Sequence, residues 1–149
     1  MSKKVIAFDL GLNFGYCGGK RVHGCMKVSN AKRMFSFYDA VMDLMVTKRT
    51  GKMYEAIVYE NACFQKGNAI YNFNAQKGIL QLVAESLNID FIGIPVATIK
   101  SHMLGKNHGF SGPESKKAIR DKLNKDGWKV TNLNESDAIA VYYTHLGIK

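Results

Sequence analysis

The chain has 149 residues, 46% of them apolar, enough for one globular domain with a real core and too few for a second of ordinary size. Lys and Arg total 21 against 12 Asp and Glu, and this net charge of +9 points to an anionic partner, nucleic acid ahead of a membrane. No run approaches the ~20 apolar residues of a bilayer span, no basic and then apolar leader precedes Val5, and the dispersed Cys17, Cys25 and Cys63 suit neither a disulfide scaffold nor a four-cysteine zinc site.

In chain order, residues 4–9 read as a strand, an apolar run that ends in the carboxylate of Asp9. In an α/β sheet the C-terminal ends of strands are where chemistry collects. Gly11 and Gly15 follow, and each gives room for another backbone or a phosphate. Residues 14–18 and 21–28 continue as two further short strands of an antiparallel meander. Phe35, Tyr38, Met42 and Met45 recur at three and four residues and predict a helix with those side chains as its core stripe. Residues 54–60 are a second strand that ends in a carboxylate, Glu60.

Residues 61–71, with Phe64, Lys66, Gly67 and Tyr71, read as a polar loop. Asn74 is placed to cap a helix through Ala75, Ile79, Leu80, Val83 and Leu87, with Gln76, Lys77, Gln81 and Glu85 on its surface and Gly78 inside it. Residues 91–95 form a short strand closed by Pro95, and residues 98–104 a brief helix. The basic, glycine-rich stretch 105–113 lacks the spacing of a phosphate-binding P-loop. Pro113 opens a helix that carries Lys116, Lys117, Arg120 and Lys122. Trp128 and Val130 belong to a last short strand or an anchor. The final helix is expected to start at Asn134 as N-cap, with Asp137 three residues on.

Asp9, Glu60 and the Glu135/Asp137 pair thus all stand at ends of apolar elements. Ends of this kind converge on one edge of an α/β domain, and three or four oxygen ligands suit Mg²⁺ or Mn²⁺. Two such ions serve phosphodiester hydrolysis. The four histidines form no HExxH pattern, which disfavours a zinc hydrolase.

The stretch from Asp9 through Gly15-Tyr16-Cys17, the segment Ile57-Val58-Tyr59-Glu60 with Phe64 and Asn74-Ala75-Gln76-Lys77-Gly78, the Ile99-Lys100, Leu104-Gly105 and Lys116 positions, and Asn134-Glu135-Ser136-Asp137-Ala138 together resemble RuvC-type Holliday-junction resolvases over nearly the whole chain. The resemblance implies a ribonuclease-H-like α/β fold, a mixed five-stranded sheet with helices on both faces, in one domain spanning 1–149. It implies a metal-dependent endonuclease that makes paired nicks in four-way and other branched DNA as a homodimer, with two Mg²⁺ or Mn²⁺ ions per site. Carried over, Asp9, Glu60 and Asp137 are metal ligands, and Lys100 and Lys116 approach the scissile phosphate. Phe64, Lys66, Lys77, Lys106, Lys117 and Arg120 are the candidate DNA contacts. The helix around Gly78 is the expected dimer surface.

Two features depart from the family pattern, a stretch from Gly105 to Pro113 longer than the family's usual loop and one position of the last helix. Asn134 stands where the family has the first of two aspartates three residues apart. Glu135 is the replacement ligand only if it lies at or before the helix cap, because side chains two apart on a helix diverge. Two other readings stand beside the nuclease: a junction-binding protein that does not cut, and a ribonuclease acting on RNA–DNA hybrids. The expected compartment is the cytoplasm, that of the host if a phage encodes the chain.

Overall fold

The computed structural model describes residues 4–28, 33–47, 51–62 and 67–148. The chain opens with three strands, β1 (Val5–Asp9), β2 (Asn13–Gly19) and β3 (Val22–Lys27), followed by α1 (Arg33–Met45) and a small ribbon of β4 (Val46–Thr47) and β5 (Gly51–Lys52). Then come β6 (Ala56–Asn61), α2 (Asn68–Leu87), β7 (Asp90–Pro95), α3 (Val96–Leu104), α4 (Gly112–Lys125) and α5 (Leu133–Leu146). The main sheet has five strands in the order β3-β2-β1-β6-β7. β1, β6 and β7 run parallel, and β2 and β3 complete the antiparallel meander.

Side chains alternate across a strand, so the sheet sorts its residues into two cores. Ile6 and Phe8 of β1 and Ile57 and Tyr59 of β6 face α1 and α2, where they meet Phe37, Val41, Leu80 and Val83. Val5 and Ala7, with Ala56 and Val58, face the other way onto α3, α4 and α5. This second face is lined by small residues, and α5 lays Ala138 and Ala140 against it. Small residues on both sides let a helix axis come close to the sheet. Trp128 and Val130 are buried in the same core without forming a strand. The Trp128 indole N–H donates to the Tyr143 hydroxyl (2.7 Å), which donates to Asp126 (3.2 Å), and so anchors the α4–α5 connection to the last helix.

Three helices differ from the reading of the sequence. On α1 the buried stripe is Phe37, Val41 and Met45, whereas Phe35 and Tyr38 face solvent. α2 begins at Asn68, six residues before the expected cap at Asn74, after a break at Gly67. The extra turns bring Phe73 into a stripe with Gln76, Leu80 and Val83, so Gln76 is fully buried rather than on the surface. On α5 the N-cap is Asn132, not Asn134: its side-chain oxygen accepts from the N–H groups of Asn134 (2.8 Å) and Glu135 (3.2 Å).

Candidate active site

The same alternation that buries Ala7 and Val58 sends Asp9 and Glu60, two residues on, to the α5 face of the sheet. β1 and β6 are parallel neighbours in register to Phe8 and Tyr59, so the next position places the two carboxylates side by side. The third comes from α5, and Gly15 sets its approach. Gly15 is paired with Asp9 on β2, and a Cβ there would stand 2.0 Å from the carbonyl oxygen of Asn134. The clearance seen in the sequence therefore serves a backbone. It lets the first turn of α5 press onto the strand beside Asp9.

Because the cap is Asn132, Asn134, Glu135 and Asp137 all lie inside the helix. Asn134 and Asp137, three apart, share one face and line a cleft of about 300 Å³ together with Asp9, Glu60, Lys100 and Lys116. Glu135 points elsewhere, accepting a hydrogen bond from His23 Nδ1 of β3 (2.8 Å). As a member of the carboxylate cluster Glu135 is thus corrected. One residue of helix turns it by about 100° from Asn134, and the condition that it lie at or before the cap is not met. Asn134 fills the place on the cleft wall.

The electrostatics of the cleft are those of crowded like charges. Burial raises the pKa of Asp9 well above 3.8, and the carboxylates of Asp137 and Glu60 push it further. Glu60 is raised by burial and by Asp137, offset by a hydrogen bond from Asp9 and by Lys116 and Lys100. Asp137 is raised by burial, against the pull of Lys116 and Lys100. Lys116 lies 3.4 Å from Asp137, which raises its own pKa.

Three hard oxygen donors that repel one another are a donor set for a divalent cation, whose charge would keep all three ionised. As the side chains stand, Asp9 leans on Glu60 and Asp137 on Lys116. Among the described residues no three His, Cys, Asp or Glu side chains are already arranged to hold a metal ion.

The other candidates distribute unevenly. Lys100 reaches the cleft from α3 and Lys116 from α4. Lys106 is exposed on the loop before α4, and Lys117 is exposed on α4 itself. Arg120 lies 3.9 Å from Asp121 on α4. Lys77 is on the opposite side of the sheet, with its ammonium 5.6 Å from the centre of the Tyr59 ring. Phe64 and Lys66 lie outside the described residues.

One supporting residue escaped the sequence. The Gln76 amide grips the peptide of Gly11, accepting from its N–H and donating to its carbonyl, both at 2.8 Å. This pair of bonds fixes the turn two residues past Asp9. Its signal was present as a glutamine within an otherwise apolar helical stripe.

No family model and no curated protein matches the sequence. The backbone does match solved structures. It aligns with Thermus thermophilus RuvC in complex with a Holliday junction substrate at a TM-score of 0.72, over 99% of this chain and 98% of that one, at 18% identity. The chain has the RuvC fold. A second Thermus thermophilus RuvC structure aligns at a TM-score of 0.66 and 19% identity, covering 97% of this chain and 96% of that one. The yeast mitochondrial Holliday junction resolvase Ydc2 aligns at 0.60 and 16% identity, over 95% of this chain and 77% of that one. Within this RuvC fold the cleft occupies the C-terminal ends of β1 and β6, covered by the first turn of α5.

Proposed function

We propose that the protein is a metal-dependent, structure-selective DNA endonuclease, a crossover junction endodeoxyribonuclease that resolves four-way junctions by paired nicks. The observation that carries this reading is the meeting of Asp9, Glu60 and Asp137 with Lys100 and Lys116 in one cleft of a RuvC fold. In the proposed reaction water attacks phosphorus in line, the P–O3′ bond breaks, and the cut strand carries a 5′-phosphate. Lys116 and Lys100 hold the phosphate and offset the charge that gathers on its oxygens. Asp9, Glu60 and Asp137 would hold Mg²⁺ or Mn²⁺, two ions in this reading, which when bound supply a Lewis acid and lower the pKa of water. The Asp9 and Glu60 carboxylates orient the attacking water through their remaining lone pairs.

Paired nicks need two sites, so the functional unit in this reading is a homodimer. The exposed stripe of α2, with Tyr71, Gly78 and Leu82, is the surface offered for it. A Cβ at Gly78 would meet nothing within 4 Å, which leaves space for a second copy. Mass measurement in dilute solution tests this, and a monomer at all concentrations sinks it.

The deciding experiment is a denaturing gel of a four-way junction incubated with wild type and Asp9→Asn in Mg²⁺ or Mn²⁺. Symmetric nicks by wild type alone are expected. The second reading, a junction binder that does not cut, is favoured by Asn134 in the cleft and by the turn of Glu135 toward His23, which leave three carboxylates there rather than four. A shifted band with intact strands would select it. Equal or faster cutting of an RNA–DNA hybrid would select a ribonuclease instead.

A further inference from the structure

The loop from α3 to α4 carries an aromatic pair that the carboxylate cleft does not use. Phe110 is 44% exposed and belongs to neither apolar core. Its ring lies nearly parallel to that of His108, with centroids 5.6 Å apart and planes 20° from parallel. The backbone builds this arrangement. Gly105, Asn107 and Gly109 all have positive φ (87°, 60° and 73°), which folds the loop sharply back on itself. The Phe110 N–H then donates to His108 Nδ1 at 2.9 Å, so the imidazole proton sits on Nε2.

The loop is tied at its far end as well. Ser111 and Glu114 form a reciprocal capping box at the start of α4. An aromatic pair this well held, yet left outside both cores, has a free face to offer. Its surroundings say to what. Lys106 is in the same loop, and Lys116 lies roughly 6 Å along the axis of α4 from its first residue at a rise of ~1.5 Å per residue. The flanking helices α3 and α4 send Lys100 and Lys116 into the cleft. A π-face on a loop that carries Lys106, between helices that send Lys100 and Lys116 into the cleft, fits a nucleobase whose own phosphate is held nearby. Bases inside a duplex are stacked already, so only an unpaired base can reach it.

We propose that His108 and Phe110 form a stacking platform for an unpaired DNA base next to the phosphate held in the cleft. This deepens the nuclease reading and rests on it for the position of that phosphate. The platform makes the protein select DNA whose strands part at a branch, by a contact independent of base sequence. His108 Nε2–H adds one donor at the edge of the platform.

The test uses the full chain and a DNA probe with 2-aminopurine, a base whose fluorescence is quenched on stacking. One series carries the label in an unpaired single strand, a second at the branch of a four-way junction, and a third inside a plain duplex. Wild type is expected to quench the first two and not the third. Phe110→Ala should abolish the quenching and weaken binding roughly 5- to 150-fold, the size of one lost stacking contact. Phe110→Leu should behave like Phe110→Ala, and Phe110→Trp should restore quenching. Loss of a ring leaves the salt slope of binding unchanged, whereas Lys106→Ala should lower that slope by about 1.

Equal quenching by wild type and Phe110→Ala would overturn the platform, as would a Phe110→Leu variant as effective as wild type. If single-strand quenching depends on Phe110 but no junction is nicked, the platform stands and the nuclease reading fails. If junctions are nicked and Phe110 changes neither quenching nor affinity, the reverse holds.

Discussion

The first two turns of α5 carry two carboxylates that meet opposite fates. Glu135 turns to β3 and finds one partner in His23 at 2.8 Å, whose ring packs edge-on against the buried Trp128. Asp137 turns to the sheet centre, finds Lys116 at 3.4 Å, and also faces Asp9 and Glu60. The first is one acid matched by one base. The second belongs to a set of three acids whose burial and mutual repulsion two lysines do not cancel. A structural pair settles its hydrogen bonding locally. A site built for charged chemistry keeps an excess that a ligand has to neutralise. The contrast between these two sides of one helical turn can be broken at several points.

The largest effect is expected from Asp9→Asn. It removes a carboxylate whose pKa is raised by burial and by both neighbouring acids, and should lower nicking by roughly 10³-fold, with junction binding kept. A gel with wild-type nicking by this variant would remove the cleft from the mechanism. The same substitution probes pH. Asp9, Glu60 and Asp137 all have raised folded-state pKa values, so the folded chain binds more protons than the unfolded one above the ordinary 3.8 to 4.5 range. In that window stability falls as pH rises, and the full cost remains above the folded pKa values. Thermal unfolding in a chelator should therefore show a decline in wild-type Tm from acid toward neutral pH that is shallower in Asp9→Asn. Mg²⁺ should raise Tm of wild type at neutral pH more than that of the variant.

Gly15→Val comes next. Its side chain would begin 2.0 Å from a backbone carbonyl of α5, which cannot yield as a side-chain tip would. Moving the helix should cost about 1–3 kcal/mol as overpacking does, and it draws Asp137 away from Asp9. Urea unfolding and nicking rate should fall together. An active, fully stable Gly15→Val protein would show that the close approach of α5 is dispensable.

Gln76→Leu should cost about 1–3 kcal/mol, because it leaves the half-buried N–H and carbonyl of Gly11 without the amide that pairs with them. The turn after Asp9 loosens, so kcat should fall while KM for the junction stays near wild type. Gln76→Glu tests the geometry separately, since its carboxylate still accepts from Gly11 N–H but has no N–H for the carbonyl.

These three residues differ in how far they were legible beforehand. Asp9 and Glu60 were readable because each closes an apolar run, and the ends of such strands gather on one edge of an α/β sheet. The mixed five-stranded sheet came from the family resemblance, not from the pattern of these strands. Helices are less determinate. Phe35 and Tyr38 fit a stripe on α1 as well as Phe37 and Val41 do, and the choice belongs to the partners of the helix, α2 and the sheet. Gln76 was assigned to the surface by residue type, although its spacing to Leu80 and Val83 puts it inside. The first turn of α5 depended on its cap. With Asn134 as cap, Glu135 would stand one residue past it, at the very start of the helix. With Asn132 as cap, helix geometry separates Glu135 from Asp137. Gly15 was read as clearance, but what it cleared is set by a segment more than a hundred residues away.

The smallest effect should come from Glu135→Gln. If Glu135 is a structural partner of His23, the amide oxygen still accepts the Nδ1–H hydrogen bond, and the two side chains are partly buried rather than sealed from water. The loss should be about 1 kcal/mol or less, and nicking should stay within about fivefold of wild type, since 1 kcal/mol is a factor of about five in rate. His23→Ala removes the donor and should cost slightly more in stability, with the same small change in rate. The pair also predicts non-additivity: the double variant should lose less than the sum of the two singles, as expected for residues in contact. Should Glu135→Gln instead depress nicking as far as Asp9→Asn, the contrast between the two sides of α5 would be gone. Glu135 would then have to leave His23 and enter the cleft when DNA and metal are bound.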